Sequence, residues 1–188
     1  MENIDEKTVE GFGDEWDLYD QKNFNGSGYE SLTQIYFKLF PFNKIDLSSE
    51  GFDMGCGSGR WARFIAPKVG TLNCIDPSQK ALSIAQSNLS QFSNCTFECA
   101  GVNETQLPPN SQDFGYSLGV LHHVPDTASA IKSCVKMLKP GAPFLLYLYY
   151  AFDNRSALFR LIWKCSDVMR RIIYRMPPTI KHIVTDTL

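Results

Sequence analysis

The sequence predicts a doubly wound α/β domain with a mostly parallel sheet and helices on both faces. Three observations carry that prediction. Short strand-like and helix-like segments alternate about five times between residues 51 and 150. A glycine-rich turn at 55–59 joins the first strand to a helix. The run 143–150 is almost continuously apolar, as strands buried on both faces of a parallel sheet are.

Residues 1–10 read as loosely attached, and 11–21 as aromatic and acidic without clear periodicity. A helix is predicted over Tyr29–Leu39, ended by Pro41. The strand Gly51–Met54 enters the glycine turn, and the helix that starts at Arg60 runs to Ala66, where Pro67 stops it. Thr71–Ile75 reads as a strand and Ser78–Leu89 as a helix capped by Ser78. Cys95–Ala100 and Phe114–Leu118 follow as strands. Asp126–Met137 is a helix closed by Lys139-Pro140-Gly141, and Pro143–Tyr150 is the fifth strand. The 188 residues thus divide into an N-terminal lid segment (1–44), a ligand-binding α/β domain (45–153) and a tail (154–188).

The tail differs in kind. Leu158, Leu161, Ile162, Cys165, Val168, Met169, Ile172 and Ile173 recur at three- and four-residue spacing, while Arg155, Arg160, Lys164, Arg170, Arg171 and Arg175 mostly lie off that stripe. This is a basic amphipathic helix, halted by Pro177 and Pro178. From Arg155 onward seven lysines and arginines face two aspartates, although the whole chain has a net charge of -2. A basic tail on an acidic body docks internally, faces a membrane or meets an acidic partner, and internal docking is the expectation. Residues 155–175 are the candidate membrane-surface element.

An apolar content of 44% and a charged content of 20% fall in the soluble globular range. The net charge, and the lack of a basic patch interleaved with aromatics in the body, argue against a nucleic-acid partner. No run approaches the roughly 18 apolar residues of a transmembrane helix, and the acidic start MENIDEKTVEG has no signal-like apolar stretch. Cys56, Cys74, Cys95, Cys99, Cys134 and Cys165 form no C-x-x-C pair and no zinc spacing. No metal is expected, and a reducing cytoplasm is the expected setting.

The informative stretch is Phe52-Asp53-Met54-Gly55-Cys56-Gly57-Ser58-Gly59-Arg60. Glycines between a strand and a helix let the backbone turn sharply and let a ligand approach. The helix N-terminus behind them favours a carboxylate or phosphate. Dinucleotide binders space their glycines G-x-G-x-x-G, whereas here the spacing is G-x-G-x-G and Arg60 takes the third slot. Asp53 would meet a pyrophosphate badly, but it suits a ligand with an ammonium group and a sulfonium, as S-adenosylmethionine has. Asp76, at the end of the next strand, can accept from ribose hydroxyls. Asp76 alone fits NAD equally well; its combination with Asp53 does not.

With these residues the sequence resembles the class I S-adenosylmethionine-dependent methyltransferases, and within them the methylases of ubiquinone and menaquinone biosynthesis. DMGCGSGRWA, CIDPS, GVNETQLPPNSQDFGYSLGVLHHVPD and KMLKPGAPFLLYLYY resemble four of the family's motifs in order, over about residues 45 to 150. The resemblance implies a Rossmann-like sheet. It implies that Asp53, Met54, Gly55, Cys56 and Gly57 hold the methionine moiety, and that Asp76 holds the ribose with Pro77 beside the adenine. Val102 and Asn103 would meet the adenine edge, and Leu118 and Gly119 would line the methyl-transfer end. Many relatives carry an acid where Val102 stands, so adenine recognition here passes to Asn103, Glu104 or backbone groups.

Methyl transfer from a sulfonium needs mostly positioning, with a general base only if the nucleophile loses its proton early. His122 and His123, after the fourth strand, are the candidate bases, and Tyr19, beside Trp16 and Asp14 in the lid segment, is the candidate to face donor or acceptor. The default acceptor is a small molecule, with O-, N- and C-methylation all open. The family's sheet has seven strands, whereas only one helix and a short run at Lys181–Val184 follow the fifth strand here. The last two strands are therefore expected to be missing, which leaves an apolar sheet edge. Either the chain is truncated, or its tail, a partner or a second copy covers that edge. Two other readings stay open: an NAD-dependent oxidoreductase, and a non-catalytic cofactor-binding partner protein.

Overall fold

The computed structural model describes residues 3–11, 27–149, 152 and 154–174. The chain forms two units, residues 1–149 and 150–188. The first is built on five parallel strands: β1 (Glu50–Met54), β2 (Thr71–Asp76), β3 (Cys95–Cys99), β4 (Phe114–Leu118) and β5 (Phe144–Tyr147). Their order is β3-β2-β1-β4-β5. Helices α1 (residues 6–11), α2 (Ser27–Tyr36), α3 (Ala62–Ile65), α4 (Gln79–Asn88) and α5 (Thr127–Met137) belong to this unit, and α6 (Ala157–Tyr174) to the second. The doubly wound class read from the sequence is borne out. The order reverses between β1 and β4, and open α/β sheets bind ligands at the carboxyl ends of the strands beside such a reversal.

Alternate residues of each strand enter two separate cores, as the period of two requires. Leu72, Cys74, Phe114 and Tyr116 join Phe37, Phe40, Trp61, Ile65 and Leu82 on one face. Phe52, Met54 and Ile75 join Val102, Leu121, Cys134 and Met137 on the other. Two glycines make room for rings. A Cβ on Gly51 would stand 2.3 Å from the Phe114 ring, and one on Gly115 would stand 2.3 Å from the Phe52 ring. At the amino ends of the strands, Asn73 Nδ2 donates to Gln112 Oε1 at 3.1 Å, and Glu50 Oε1 accepts from Asn73 and Gln112. Side chains on either side of β1 are thereby tied to one another.

α4 and α5 both start on caps. Ser78 Oγ accepts from the Ala81 N–H at 3.3 Å, and Asp126 Oδ1 accepts from the Ser129 N–H at 2.9 Å. Each cap satisfies an amide left open by the first turn.

Three expectations need correction. The N-terminus is not loose: Asn3 is buried, and its side chain pairs with both backbone groups of Asp126. Pro67 does not end its helix but sits inside a 3-10 turn, Ala66–Lys68, that continues α3. It stands within that turn's first two positions, where its missing N–H leaves no bond unmade. β5 is not buried on both faces: Phe144, Leu145 and Leu146 are half-buried and Tyr147 is exposed, because among the described residues β5 pairs with β4 alone. In the second unit, Leu158, Ile162 and Met169 of α6 are 67%, 60% and 56% exposed. Residues 181–184, Pro177 and Pro178 lie outside the described residues.

Candidate active site

The carboxyl ends of β1, β2 and β4 bring together most of the residues singled out above. After β1 the chain turns through Gly55, Gly57 and Gly59, all at positive φ. The Gly55 and Cys56 amides donate to Ile75 O at 2.8 and 3.1 Å. Gly55 cannot be replaced cheaply: its φ is +78, and a Cβ there would stand 2.4 Å from Val120. Asp76 closes the turn from the side. One carboxylate oxygen accepts from the Gly57 N–H and the other from the Ser78 N–H, both at 2.9 Å. Burial raises the Asp76 pKa, and these two bonds oppose the rise. Each oxygen keeps a further lone pair for a hydroxyl. Past β4, Leu118 is buried, and Gly119, at φ +79, would place a Cβ in open space.

Asp53 is 1% exposed and lies in register with Cys74 on β2 and Tyr116 on β4. Its Oδ2 has no hydrogen-bond partner among the described residues. The Tyr116 hydroxyl is close enough to lower the acid's pKa but completes no hydrogen bond. Burial raises that pKa to about 8; nearby Asp76 adds to the rise, while Tyr116 and Arg60 oppose it. A carboxyl so placed ionises readily only when a cation arrives beside it.

That environment includes a residue the sequence reading passed over. Arg60 was seen only as the occupant of a glycine's slot. Its guanidinium lies over the Trp61 ring at 4.4 Å, within electrostatic reach of Asp53, Tyr29, Tyr36 and Tyr149. Its Nε is buried with no partner among the described residues, and burial lowers its pKa. The Tyr29 hydroxyl donates to the Arg60 carbonyl at 2.8 Å and so fixes α2 against the turn. No local sequence signal marks this arrangement, because Tyr29 and Tyr36 come from a helix two dozen residues earlier.

The two histidines stand together, with ring centroids 4.0 Å apart, and His122 lies tilted against Tyr149 at 4.2 Å. Tyr147, Tyr36 and Trp61 continue the aromatic wall. Burial, and for His122 the neighbouring His123, lower both histidine pKa values, so both rings are neutral at pH 7. Both nitrogens of His122 are buried without a partner among the described residues.

After β3, Val102 is buried, whereas Asn103 is exposed and its Oδ1 accepts from Ser133 Oγ at 2.8 Å. Pro77 is half-buried beside Asp76. Ile4 packs on Gly101, so residues 3 and 4 reach both the loop after β3 and the start of α5. Tyr19, Trp16 and Asp14 lie outside the described residues.

A model of the methyltransferase domain family matches residues 52–146, from β1 through β5. The chain belongs to that family. It is 32% identical over 108 residues to a ubiquinone biosynthesis O-methyltransferase of Paracidovorax citrulli, covering 56% of this chain and 44% of that protein. With a protein of the same name from Chromobacterium violaceum it shares 23% identity over 159 residues, 84% of this chain and 67% of the relative. The chain therefore spans less than half the length of the first of these relatives. Among solved structures, the YcgJ protein of Bacillus subtilis has the same fold, with a TM-score of 0.58 and 22% identity over 63% of this chain and 50% of that one. A methyltransferase structure from Mesorhizobium loti gives a TM-score of 0.55 and 25% identity, covering 63% and 54%. No helix among the described residues is long and apolar enough to cross a membrane, and no cluster of three or more His, Cys, Asp or Glu there forms a metal site.

Proposed function

We propose that this methyltransferase domain binds S-adenosylmethionine at the carboxyl ends of β1, β2 and β4 and methylates a hydroxyl group of a small-molecule acceptor. One observation carries the reading. Beside the glycine turn, at the topological reversal, a buried acid and a half-buried guanidinium each keep an unpartnered atom, Asp53 Oδ2 and Arg60 Nε. A zwitterionic methionine moiety complements both charges. A dinucleotide's diphosphate complements Arg60 and leaves Asp53 facing like charge, so the oxidoreductase reading is not favoured.

On this reading Asp53 and the Met54–Gly57 backbone hold the methionine end, and Arg60 holds its carboxylate. Asp76 holds the ribose hydroxyls. Pro77, Val102 and Asn103 flank the adenine, and Leu118 and Gly119 border the reacting end. When bound, S-adenosylmethionine supplies a methyl group already activated by its sulfonium. The protein's remaining task is to orient the acceptor and take its proton. His122, neutral and with both nitrogens open, would take that proton, with His123 the second candidate and Tyr19 a contact on the acceptor side. The relatives named O-methyltransferases favour oxygen as the atom methylated.

Titration calorimetry tests the cofactor assignment. S-adenosylmethionine and its demethylated product should both release heat, and NAD should give none. Heat with NAD alone would overturn it. Transfer of labelled methyl groups into a metabolite extract then tests catalysis and reveals the acceptor.

A further inference from the structure

Among the described residues three buried side-chain oxygens lack a hydrogen-bond partner: Asp53 Oδ2, Ser58 Oγ and the Tyr116 hydroxyl. Two of these belong to neighbours. Asp53 on β1 and Tyr116 on β4 share a register position, so their side chains leave the same face of the sheet side by side. Both are fully buried. Phe37 holds the Tyr116 ring edge-on, with centroids 5.4 Å apart, so the hydroxyl hydrogen is the part free to turn. Burial, with Asp53 nearby, holds the Tyr116 pKa well above its ordinary value, so the hydroxyl keeps that hydrogen.

The other polar groups facing Asp53 have partners or other tasks. Asp76 of β2 accepts from the Gly57 and Ser78 amides. In the turn, the Cys56 thiol donates to the Gly57 carbonyl at 3.8 Å. Cys74 of β2 lies within hydrogen-bonding reach of Cys56 and of Cys95 on β3, and all three thiols stay uncharged. Arg60 is the group assigned above to the cofactor's carboxylate.

We propose that Tyr116 is a positioning residue for Asp53: when a cationic ligand ionises the acid, the Tyr116 hydroxyl turns onto Oδ2 and holds the carboxylate in its charged form, aimed at the ligand. The inference rests on the reading that the cofactor's ammonium group meets Asp53. The proton that leaves Asp53 passes to the solvent. A hydroxyl donates to a carboxylate about twice as strongly as to a neutral oxygen, so Tyr116 favours the ionised acid over the protonated one. In the empty site the same hydroxyl is a buried donor without a partner, which is unfavourable. A phenylalanine ring would fill this part of the core equally well. The hydroxyl gains a strong acceptor only once Asp53 carries its charge.

Calorimetry on the full chain tests this, with the demethylated product of S-adenosylmethionine as the probe. Binding to the unmodified chain at pH 7 should release about one proton, read from buffers of different ionisation heat. Tyr116→Phe should lower affinity on the order of tenfold at pH 7. That loss should nearly vanish by about pH 9.5, where Asp53 is ionised in both proteins before the ligand arrives. The ligand's own titration cancels in the ratio of the two affinities, and a packing defect would cost the same at every pH. In an Asp53→Asn background, Tyr116→Phe should change nothing. Without ligand, carbon-13 NMR of the Asp53 carboxyl should show its titration midpoint moved upward by Tyr116→Phe. An equal loss at both pH values would overturn the proposal, as would a full effect in the Asp53→Asn background or an unmoved carboxyl titration. Absence of heat with the unmodified chain would instead overturn the cofactor reading, and the carboxyl titration would still decide whether Tyr116 supports the charge on Asp53.

Discussion

Asp53 and Arg60 carry the electrostatics of the site, and each makes a separable prediction. Burial raises the folded-state pKa of Asp53 from its ordinary value of 3.8 to about 8. Between those values the unfolded chain loses a proton that the folded chain keeps, so this group's contribution to stability falls as pH rises from about 4 to about 8. Asp53→Asn should remove that slope and, without ligand at pH 8, stabilise the protein by about 1–3 kcal/mol in thermal or urea unfolding. The same change should weaken S-adenosylmethionine binding, because a neutral amide cannot answer a cation. In the unmodified chain, affinity should tighten as pH rises from 6 towards 8, measured by calorimetry with the buffer's own heat of ionisation subtracted. Arg60→Met keeps the bulk over Trp61 and removes the charge. It should cost about 1.5–3 kcal/mol of cofactor binding, a loss of tenfold or more. If His122 takes the acceptor's proton, turnover should be flat near pH 7 and fall only well below it, because both histidine pKa values are lowered. His122→Gln should lower turnover about 100-fold with cofactor affinity unchanged.

Secondary-structure elements were the most legible layer. Ser78 and Asp126 announce their helices by the one cue that works locally, a short acceptor one residue ahead of an apolar periodicity. Ser78→Ala should cost about 1 kcal/mol, seen as a fall of about 2–4 °C in melting temperature. Pro67 misled because proline excludes only the interior of a helix, and the first turn of a following 3-10 segment accepts it. β5 misled because apolar composition reports what a strand would tolerate, whereas burial depends on a neighbour that sequence does not supply. Packing glycines are invisible for a similar reason. Gly115 reads as an ordinary strand residue, yet it lies under the Phe52 ring on β1. Gly115→Ala should therefore cost about 1–3 kcal/mol through overpacking, a loss that Phe52→Leu should partly rescue when the two are combined.

At the scale of the molecule, the proposed ligand site is bordered by segments from several parts of the first unit, so its completeness is a property of the fold. Saturating S-adenosylmethionine should raise the melting temperature, by about 2.7 kcal/mol of stabilisation at one hundred times Kd. Asn3→Ala should reduce amide-exchange protection around 101–104 and 126–129 while leaving the central strands protected, since it removes two hydrogen bonds that reach Asp126 across the chain.

The sequence alone determined the strand–helix alternation, the parallel sheet, the glycine turn with Asp53 and Asp76 at their strand ends, and the family resemblance that the 52–146 match bears out. Each of these rests on spacing along one segment, which linear order preserves. Only the tertiary structure decided that Asp53 is buried and held near neutrality, that Arg60 comes within electrostatic reach of it, and that Asn3 is pinned to Asp126. Those facts depend on which segments become neighbours and how much water they exclude, and no local pattern records either.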